Sequence, residues 1–73
     1  MMQAFMVREY GRTELAQMYC PGFAPGSAWR KLRRWMRLYP GLVDGLAAIG
    51  YDERSRSFTP AQVRLIVEAL GEP

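Results

Sequence analysis

Histidine is absent from this sequence, and cysteine occurs once, as Cys20. A chain without histidine cannot form the Cys–His or Ser–His pair of a nucleophilic enzyme, and it lacks the ligands of a zinc site. The glycine-rich phosphate-binding motifs GxxxxGK[ST] and GxGxxG are also missing. Asp52 and Glu53 are adjacent carboxylates with arginines nearby, which is typical of surface ion pairs rather than of a general acid and base. The sequence therefore predicts no enzyme, no metal site and no cofactor.

A single cysteine also excludes a disulfide within the chain, which indicates a reducing compartment. No run approaches the roughly eighteen apolar residues that a membrane span requires. The first ten residues, MMQAFMVREY, lack a basic leader and reach Arg8 and Glu9 too early for the apolar region of a signal peptide. We therefore expect a cytoplasmic protein with no membrane partner, in which Cys20 is a small buried apolar residue.

The balance of apolar and charged residues is that of a folded domain. Hydrophobic residues make up 49% of the 73 residues and charged residues 23%, so the chain can bury enough apolar surface to fold. A chain of this length buries only about 60% of its unfolded surface, so its bulky side chains are needed in the core. We predict one small helical domain over residues 1–73.

Glycine and proline divide the chain into four predicted helices. The first covers residues 14–19, behind Thr13 as N-cap, and ends at the breaker-rich stretch CPGFAPGS. The second begins after Gly26 or Ser27 and ends near Leu38, because a proline two residues later disfavours helical geometry at the residue before it. The first two helices are thus separated by a connection longer than the three or four residues of a common helix-turn-helix.

The third predicted helix has Pro40 in its first turn and an inner face formed by Leu42, Leu46 and Ile49. Gly50 is expected to end this helix in a left-handed conformation. The following tyrosine would then pack back on Leu46, as in a Schellman motif.

The fourth helix has the clearest start in the sequence. Thr59 as N-cap, Pro60 in the first turn and Gln62 at the third position predict a capping box, and Phe58 and Val63 predict a hydrophobic staple. The apolar surface of this helix is so wide that it is either deeply buried or shared with a second copy of the chain. A homodimer is therefore one alternative.

Two segments outside the helices are candidates for a small sheet. Residues 4–10, AFMVREY, mix β-branched and aromatic residues with polar ones, and residues 51–58, YDERSRSF, are either a loop or a small wing that pairs with them. The expected fold is a compact, mainly α domain of four helices with a helix-turn-helix-like arrangement, to which a two-stranded β element is an open addition.

The second predicted helix is strongly basic on one side. Its sequence, AWRKLRRWMRLY, places the alanine, tryptophans, leucine, methionine and tyrosine within one arc of a helical wheel and the cations in the remaining arc, interrupted only by Leu38. The cations are Arg30, Lys31, Arg33, Arg34 and Arg37. The net charge of the whole chain is +3, so these five outweigh a net charge of −2 elsewhere (3 − 5 = −2). An anionic partner suits such a local stripe.

Three interpretations of this basic side are open: a nucleic-acid contact, a protein contact and a solvated face. In a helix-turn-helix interpretation the second helix enters the major groove of double-stranded DNA while the first braces against the duplex. The candidate base-reading residues are Ser27, Arg30, Lys31 and Arg34, and the candidate phosphate clamps are Arg33 and Arg37. The alternatives are a face that only keeps the helix in water and a surface for an acidic protein partner.

Arg54 and Arg56 are the remaining candidate nucleic-acid contacts. If their segment is a strand, the two side chains share one face and form a wing that reaches the phosphates. The alternative is a solvated loop in which they pair locally with Asp52 and Glu53.

Three motifs in order, YGRTELAQMY, AWRKLRRWM and RSFTPAQVRLIVEALGEP, resemble a family of small proteins from gut Bacteroidales that is known as domain of unknown function 4248. The resemblance spans residues 7–73, and it implies no activity and no role for any residue. The sequence is also similar, more distantly, to MerR-type and excisionase-like DNA-binding domains, in which an ELA-type helix precedes a basic helix. The long turn and the helix over residues 41–49 depart from that second pattern.

Overall fold

Capping residues and helix breakers divide the chain into four helices and two short strands in the computed structural model, which describes residues 5–73. The elements in order are β1 (Tyr10–Gly11), α1 (Arg12–Tyr19), α2 (Pro25–Leu38), α3 (Leu42–Ala48), β2 (Ser57–Phe58) and α4 (Pro60–Leu70). The predicted fold class, mainly α with a small two-stranded sheet, is confirmed.

Helix α1 begins two residues earlier than predicted, because Gly11 and not Thr13 is its N-cap. The backbone N–H of Gly11 donates to Glu14 Oε1 at 3.0 Å, which closes one half of a capping box. The other half would need an N-cap side chain that accepts from the backbone N–H of Glu14. Glycine has no such side chain, so this hydrogen bond is missing. Arg8 also donates to Glu14, at 3.2 Å, and so ties the chain before β1 to the first turn of α1.

Helix α2 also begins earlier than predicted, at Pro25, with Ala24 as N-cap. Proline is well tolerated in the first turn because its missing N–H has no partner within the helix there. Gly26 and Ser27 are therefore helical, and the connection from α1 shrinks to the five residues from Cys20 to Ala24. Helix α2 ends at Leu38 as predicted.

Helix α3 starts at Leu42, and Pro40 is not part of it, which corrects the predicted start. The N-cap is Gly41, whose φ of 80° is left-handed and cannot continue a helix from the proline. The predicted end is confirmed: Gly50 has a φ of 93°, and the N–H of the following tyrosine donates to Leu46 O at 2.9 Å in a Schellman motif. Ile49 was expected on the inner face but is 42% exposed, because it lies at the C-cap outside the helix.

The predicted start of α4 is confirmed in detail. The N–H of Gln62 donates to Thr59 Oγ1 at 3.3 Å, and the N–H of Thr59 donates to Gln62 Oε1 at 3.0 Å. Phe58 and Val63 are both fully buried, as the two ends of a staple should be. Ile66 is fully buried and Leu65, Val67, Ala69 and Leu70 are half-buried, so the wide apolar face is largely covered by the rest of the chain.

The sheet joins the two predicted segments, but over fewer residues than expected. Tyr10 pairs with Phe58 and Gly11 with Ser57 in antiparallel register, and the N–H of Arg12 donates to the carbonyl of residue 56 at 2.9 Å. Of the predicted strand over residues 4–10, Tyr10 alone is in β1, and Ala4 lies outside the described residues.

One hydrophobic core connects these elements. Its buried apolar members are Tyr10, Leu15, Ala16, Cys20, Ala28, Leu32, Met36, Leu42, Leu46, Phe58, Val63 and Ile66. The predicted burial of Cys20 is confirmed. Within residues 5–73, no helix has the length and apolar character needed to cross a membrane.

Candidate functional site

The inner side of α2 is buried, and its two tryptophans lie at the edges of the buried stripe. Ala28, Leu32 and Met36 are within 2% of full burial. Trp29 packs on Phe58 with ring centroids 6.0 Å apart, and Trp35 is half-buried. This confirms that the tryptophans are core and boundary residues. Tyr39, expected in the same arc, is instead 44% exposed, because the backbone leaves the helix at this C-cap residue.

The outer side of α2 carries two sets of cations with different surroundings. Arg33 and Arg37 both donate to Glu53 Oε1, at 2.9 Å and 3.2 Å. The two arginines are one helical turn apart, so a single carboxylate can reach both. Their guanidinium groups lower the pKa of the Glu53 carboxyl, chiefly through the hydrogen bond from Arg33. The two predicted phosphate clamps are therefore already paired within the chain.

Glu53 is held in place by a tight turn between α3 and β2. Asp52 Oδ1 accepts from the N–H of Arg54 at 2.6 Å, and Asp52 O accepts from the N–H of Ser55 at 2.9 Å. The residue before this turn, Tyr51, stacks on Phe58 with ring centroids 5.1 Å apart, so the turn is anchored on the core. No local sequence pattern indicates the ion pairs with α2, because the paired residues are 16 and 20 positions apart.

The second set of cations is Arg30, Lys31 and Arg34, which we call the open cationic surface. All three side chains are exposed. The ion pairs in the described part of the chain involve Arg8, Arg33 and Arg37 on the basic side, and none involves the open cationic surface. Like charges at Arg30 and Arg34 repel by a few tenths of a kcal/mol, and no carboxylate within residues 5–73 offsets them by an ion pair.

The open cationic surface borders a shallow depression. Its lining consists of Arg30, Lys31, Arg34, Trp35 and Leu38. Leu38 is 68% exposed and lies among the cations, as its position on the helical wheel indicated.

Aromatic and polar neighbours set the positions of two of these cations. The Lys31 ammonium lies 4.8 Å from the ring of Phe23, which is itself 43% exposed, and 5.6 Å from the ring of Trp35. Arg30 donates to Ser27 Oγ at 3.4 Å. Of the predicted base-reading residues, Ser27 is thus half-buried and adjacent to Arg30, and the other three form one exposed group.

Arg54 and Arg56 do not lie on a strand, so of the two alternatives for this segment the structure has a loop and not a wing. Arg54 is in the tight turn and Arg56 in the bend before β2, and both are exposed. Nor do they pair locally with the carboxylates beside them. Asp52 binds the backbone of the turn and Glu53 binds α2, and no ion pair in the described residues includes Arg54 or Arg56.

Seven of the eight residues predicted to contact nucleic acid lie on α2 or on the turn that contains Glu53. Six come from α2 itself, Arg54 directly follows Glu53 in the turn, and Arg56 lies further along, next to the sheet. Sequence reasoning missed Glu53 as a partner of α2. Within residues 5–73, no group of three His, Cys, Asp or Glu side chains is arranged to hold a metal ion.

Comparison with known protein families identifies the family of this chain. A family model described as Domain of unknown function (DUF4248) matches residues 6–73, which is nearly the whole chain. Neither a curated protein nor a solved structure matches.

Proposed function

The chain belongs to the DUF4248 family, whose description assigns no chemistry, and from the geometry of α2 we propose that it binds double-stranded DNA. The observation that carries the proposal is the open cationic surface. Arg30, Lys31 and Arg34 are exposed together on one helix, and no ion pair of the described residues occupies them. Three adjacent cations without a carboxylate partner in the described residues suit an anion with closely spaced charges, which is the character of a DNA backbone.

The shape of α2 supports insertion into a groove. A helix of 14 residues is about 21 Å long, and the major groove of B-DNA admits an α-helix. The guanidinium group of an arginine binds guanine edges and phosphates through paired donors, which favours Arg30 and Arg34 as the main contacts. Helix α1 packs against α2 and would brace it on the duplex, as in a helix-turn-helix protein.

The first turn of α2 is also suited to phosphate. It contains no acidic residue, and Gly26 has open space around its Cα. Backbone N–H groups at a helix N-terminus favour negative charge. In this arrangement Ser27 lies near the bases, and Arg54 and Arg56 approach the backbone from the side of the turn. The unpaired Cys20 supports a cytoplasmic location, and the proposal includes no catalytic role.

The test is binding to a labelled mixed-sequence duplex, measured by fluorescence anisotropy between 50 and 200 mM salt. If three phosphates are neutralised, the logarithm of the binding constant falls with the logarithm of salt with a slope of about −2.7. The double variant R30E/R34E should lose binding. The variant R64E reverses an exposed arginine of α4 and has the same net charge as R30E or R34E, so it is the control for these single reversals, each of which should weaken binding. No binding at 50 mM salt, or an equal loss in R64E, would overturn the proposal.

A second candidate function is docking to an acidic protein, and the exposure of Leu38 favours it. Leu38 lies in the same depression as the three cations, next to the half-buried Trp35. An acidic amphipathic segment would contact both the cations and Leu38, whereas a DNA backbone offers no apolar surface for an exposed leucine. The variant L38S separates the two functions. Its DNA affinity should equal that of the wild type if DNA is the partner.

The homodimer alternative finds less support in the fold. The wide apolar face of α4 that suggested it is largely covered within one chain, and the exposed large apolar side chains of the described residues include none from α4. Sedimentation of the purified protein tests this alternative directly, and a monomer at high concentration would remove it.

A further inference from the structure

We infer that Glu53 competes with the DNA backbone for Arg33 and Arg37. By binding these two arginines, Glu53 limits the number of phosphates that α2 can bind. This inference rests on the proposed DNA-binding function. It extends that function by assigning a role to the carboxylate and by dividing the cations of α2 into an available group and a restrained group.

The first step is the geometry of the ion pairs. One oxygen, Glu53 Oε1, lies 2.9 Å from Arg33 Nη2 and 3.2 Å from Arg37 Nη2. All three side chains are well exposed, at 40% for Arg33, 57% for Arg37 and 65% for Glu53. A phosphate oxygen can therefore approach the same guanidinium groups from solvent without disturbing the core.

The second step is the chemistry of the exchange. A carboxylate and a phosphate use the same guanidinium donors, so each arginine bound to Glu53 is less available to DNA. The charge of Glu53 would also lie close to the DNA backbone and repel it. Exposed ion pairs contribute little to folding, so their loss need not unfold the chain. Glu53 consequently affects DNA affinity far more than stability.

The third step is the role of the turn. The side chain of Asp52 and the stacking of Tyr51 on Phe58 fix the backbone around Glu53. The turn therefore positions the Glu53 carboxylate beside α2. A turn with a mobile backbone would lose backbone entropy on forming this pair, whereas here the turn already holds the backbone in place. The contact is thus a built feature of the fold.

The experiment compares E53Q with E68Q in the duplex-binding assay between 50 and 200 mM salt. Glu68 is an exposed carboxylate of α4, so E68Q makes the same change in net charge away from the turn. Release of two arginines should make the slope of log binding constant against log salt steeper by about 1.8 in E53Q. Between 50 and 200 mM salt, the binding constant of E53Q should therefore fall by a factor about twelve times larger than that of the wild type. E68Q should show the slope of the wild type.

A triple variant, R33Q/R37Q/E53Q, separates competition from a change in folding. If Glu53 acts through the two arginines, the triple variant should return to the slope of the wild type. Equal slopes for E53Q and E68Q, while R30E/R34E still abolishes binding, would overturn the inference and leave the proposed function standing. A gain in E53Q that persists in the triple variant would also overturn it. Failure of the wild type and of E53Q to bind at 50 mM salt would remove both.

Discussion

Tyr19 donates its phenolic hydrogen to the carbonyl oxygen of Gly71, so the last residue of α1 is tied to the residue that ends α4. The ring of Tyr19 also meets Trp35 edge-on, with centroids 6.5 Å apart. One side chain thus connects α1, α2 and the end of α4. Burial, together with the charge of Glu72, raises the pKa of Tyr19 to about 12.

The variant Y19F should destabilise the protein by about 1 kcal/mol, because it removes the hydrogen bond and keeps the ring. In the wild type, the raised pKa means that the folded state holds the phenolic proton more tightly than the unfolded state. The contribution of protonated Tyr19 to the free energy of unfolding is complete below pH 10 and is lost as the pH rises towards 12. Urea unfolding at pH 7 and at about pH 11 measures both effects. A wild type and a Y19F variant with the same loss of stability at high pH would contradict the assignment to Tyr19.

The ion pairs of Glu53 predict a pH dependence on the acid side. The pKa of Glu53 is lowered in the folded protein, so its contribution to stability is present above its ordinary pKa of 4.5 and is lost as the pH falls through the lower folded value. E53Q should therefore be less stable than the wild type near pH 7, and the two should converge in acid. Thermal unfolding between pH 7 and pH 3 measures this difference. A constant difference at all pH values would show that Glu53 acts by packing and not by charge.

Thr13 and Thr59, the two threonines that the sequence predicts as N-caps, form a matched pair for mutation. T59A should cost about 1 kcal/mol, because it removes the acceptor for the N–H of Gln62. Thr13 lies inside α1 and is exposed, so T13A should be neutral or slightly stabilising, since alanine is the better helix former. Chemical denaturation of both variants gives the two values. A comparable cost for T13A would mean that α1 is capped at Thr13, as its sequence suggested.

Phe58 is the central side chain of the core, and F58A should cost about 3–5 kcal/mol. It is fully buried and packs between the rings of Trp29 and Tyr51. In a domain of this size such a loss is comparable to the whole free energy of unfolding, so F58A should be largely unfolded at 25 °C. L38A is the control, because Leu38 is exposed and its removal should change stability by less than about 0.5 kcal/mol. Circular dichroism of the two variants measures this contrast.

The local signals in the sequence predicted helix ends best where a side chain or a glycine dictates them. Thr59 and Gln62 determine the start of α4 through two hydrogen bonds, and Gly50 determines the end of α3 through its positive φ. The starts of α1 and α2 were placed too late. In both cases the true N-cap, Gly11 or Ala24, forms no side-chain hydrogen bond, and the signal that remains at the start of α2 is Pro25 in its first turn.

The candidate site was predictable only in part, for a related reason. The separation of apolar and basic residues on α2 follows from helical periodicity, and the burial of Ala28 and Leu32 confirms it. The division between restrained and open arginines depends on Glu53, whose approach to α2 is set by the path of the chain after α3. Contacts between residues far apart in the sequence have no periodic signal.

The pairing of Tyr10 with Phe58 has a consequence for the order of folding. The two residues are 48 positions apart in the sequence (58 − 10 = 48), so forming the sheet closes a long loop. A chain synthesised only as far as α2 contains the basic helix but lacks β2. Tyr10 then has no strand to pair with, and Trp29 lacks the ring of Phe58 on which it packs. Fragments ending before β2 should therefore remain without a stable tertiary structure, and the long loop that the sheet closes should make this domain fold more slowly than a simple helical bundle of the same length.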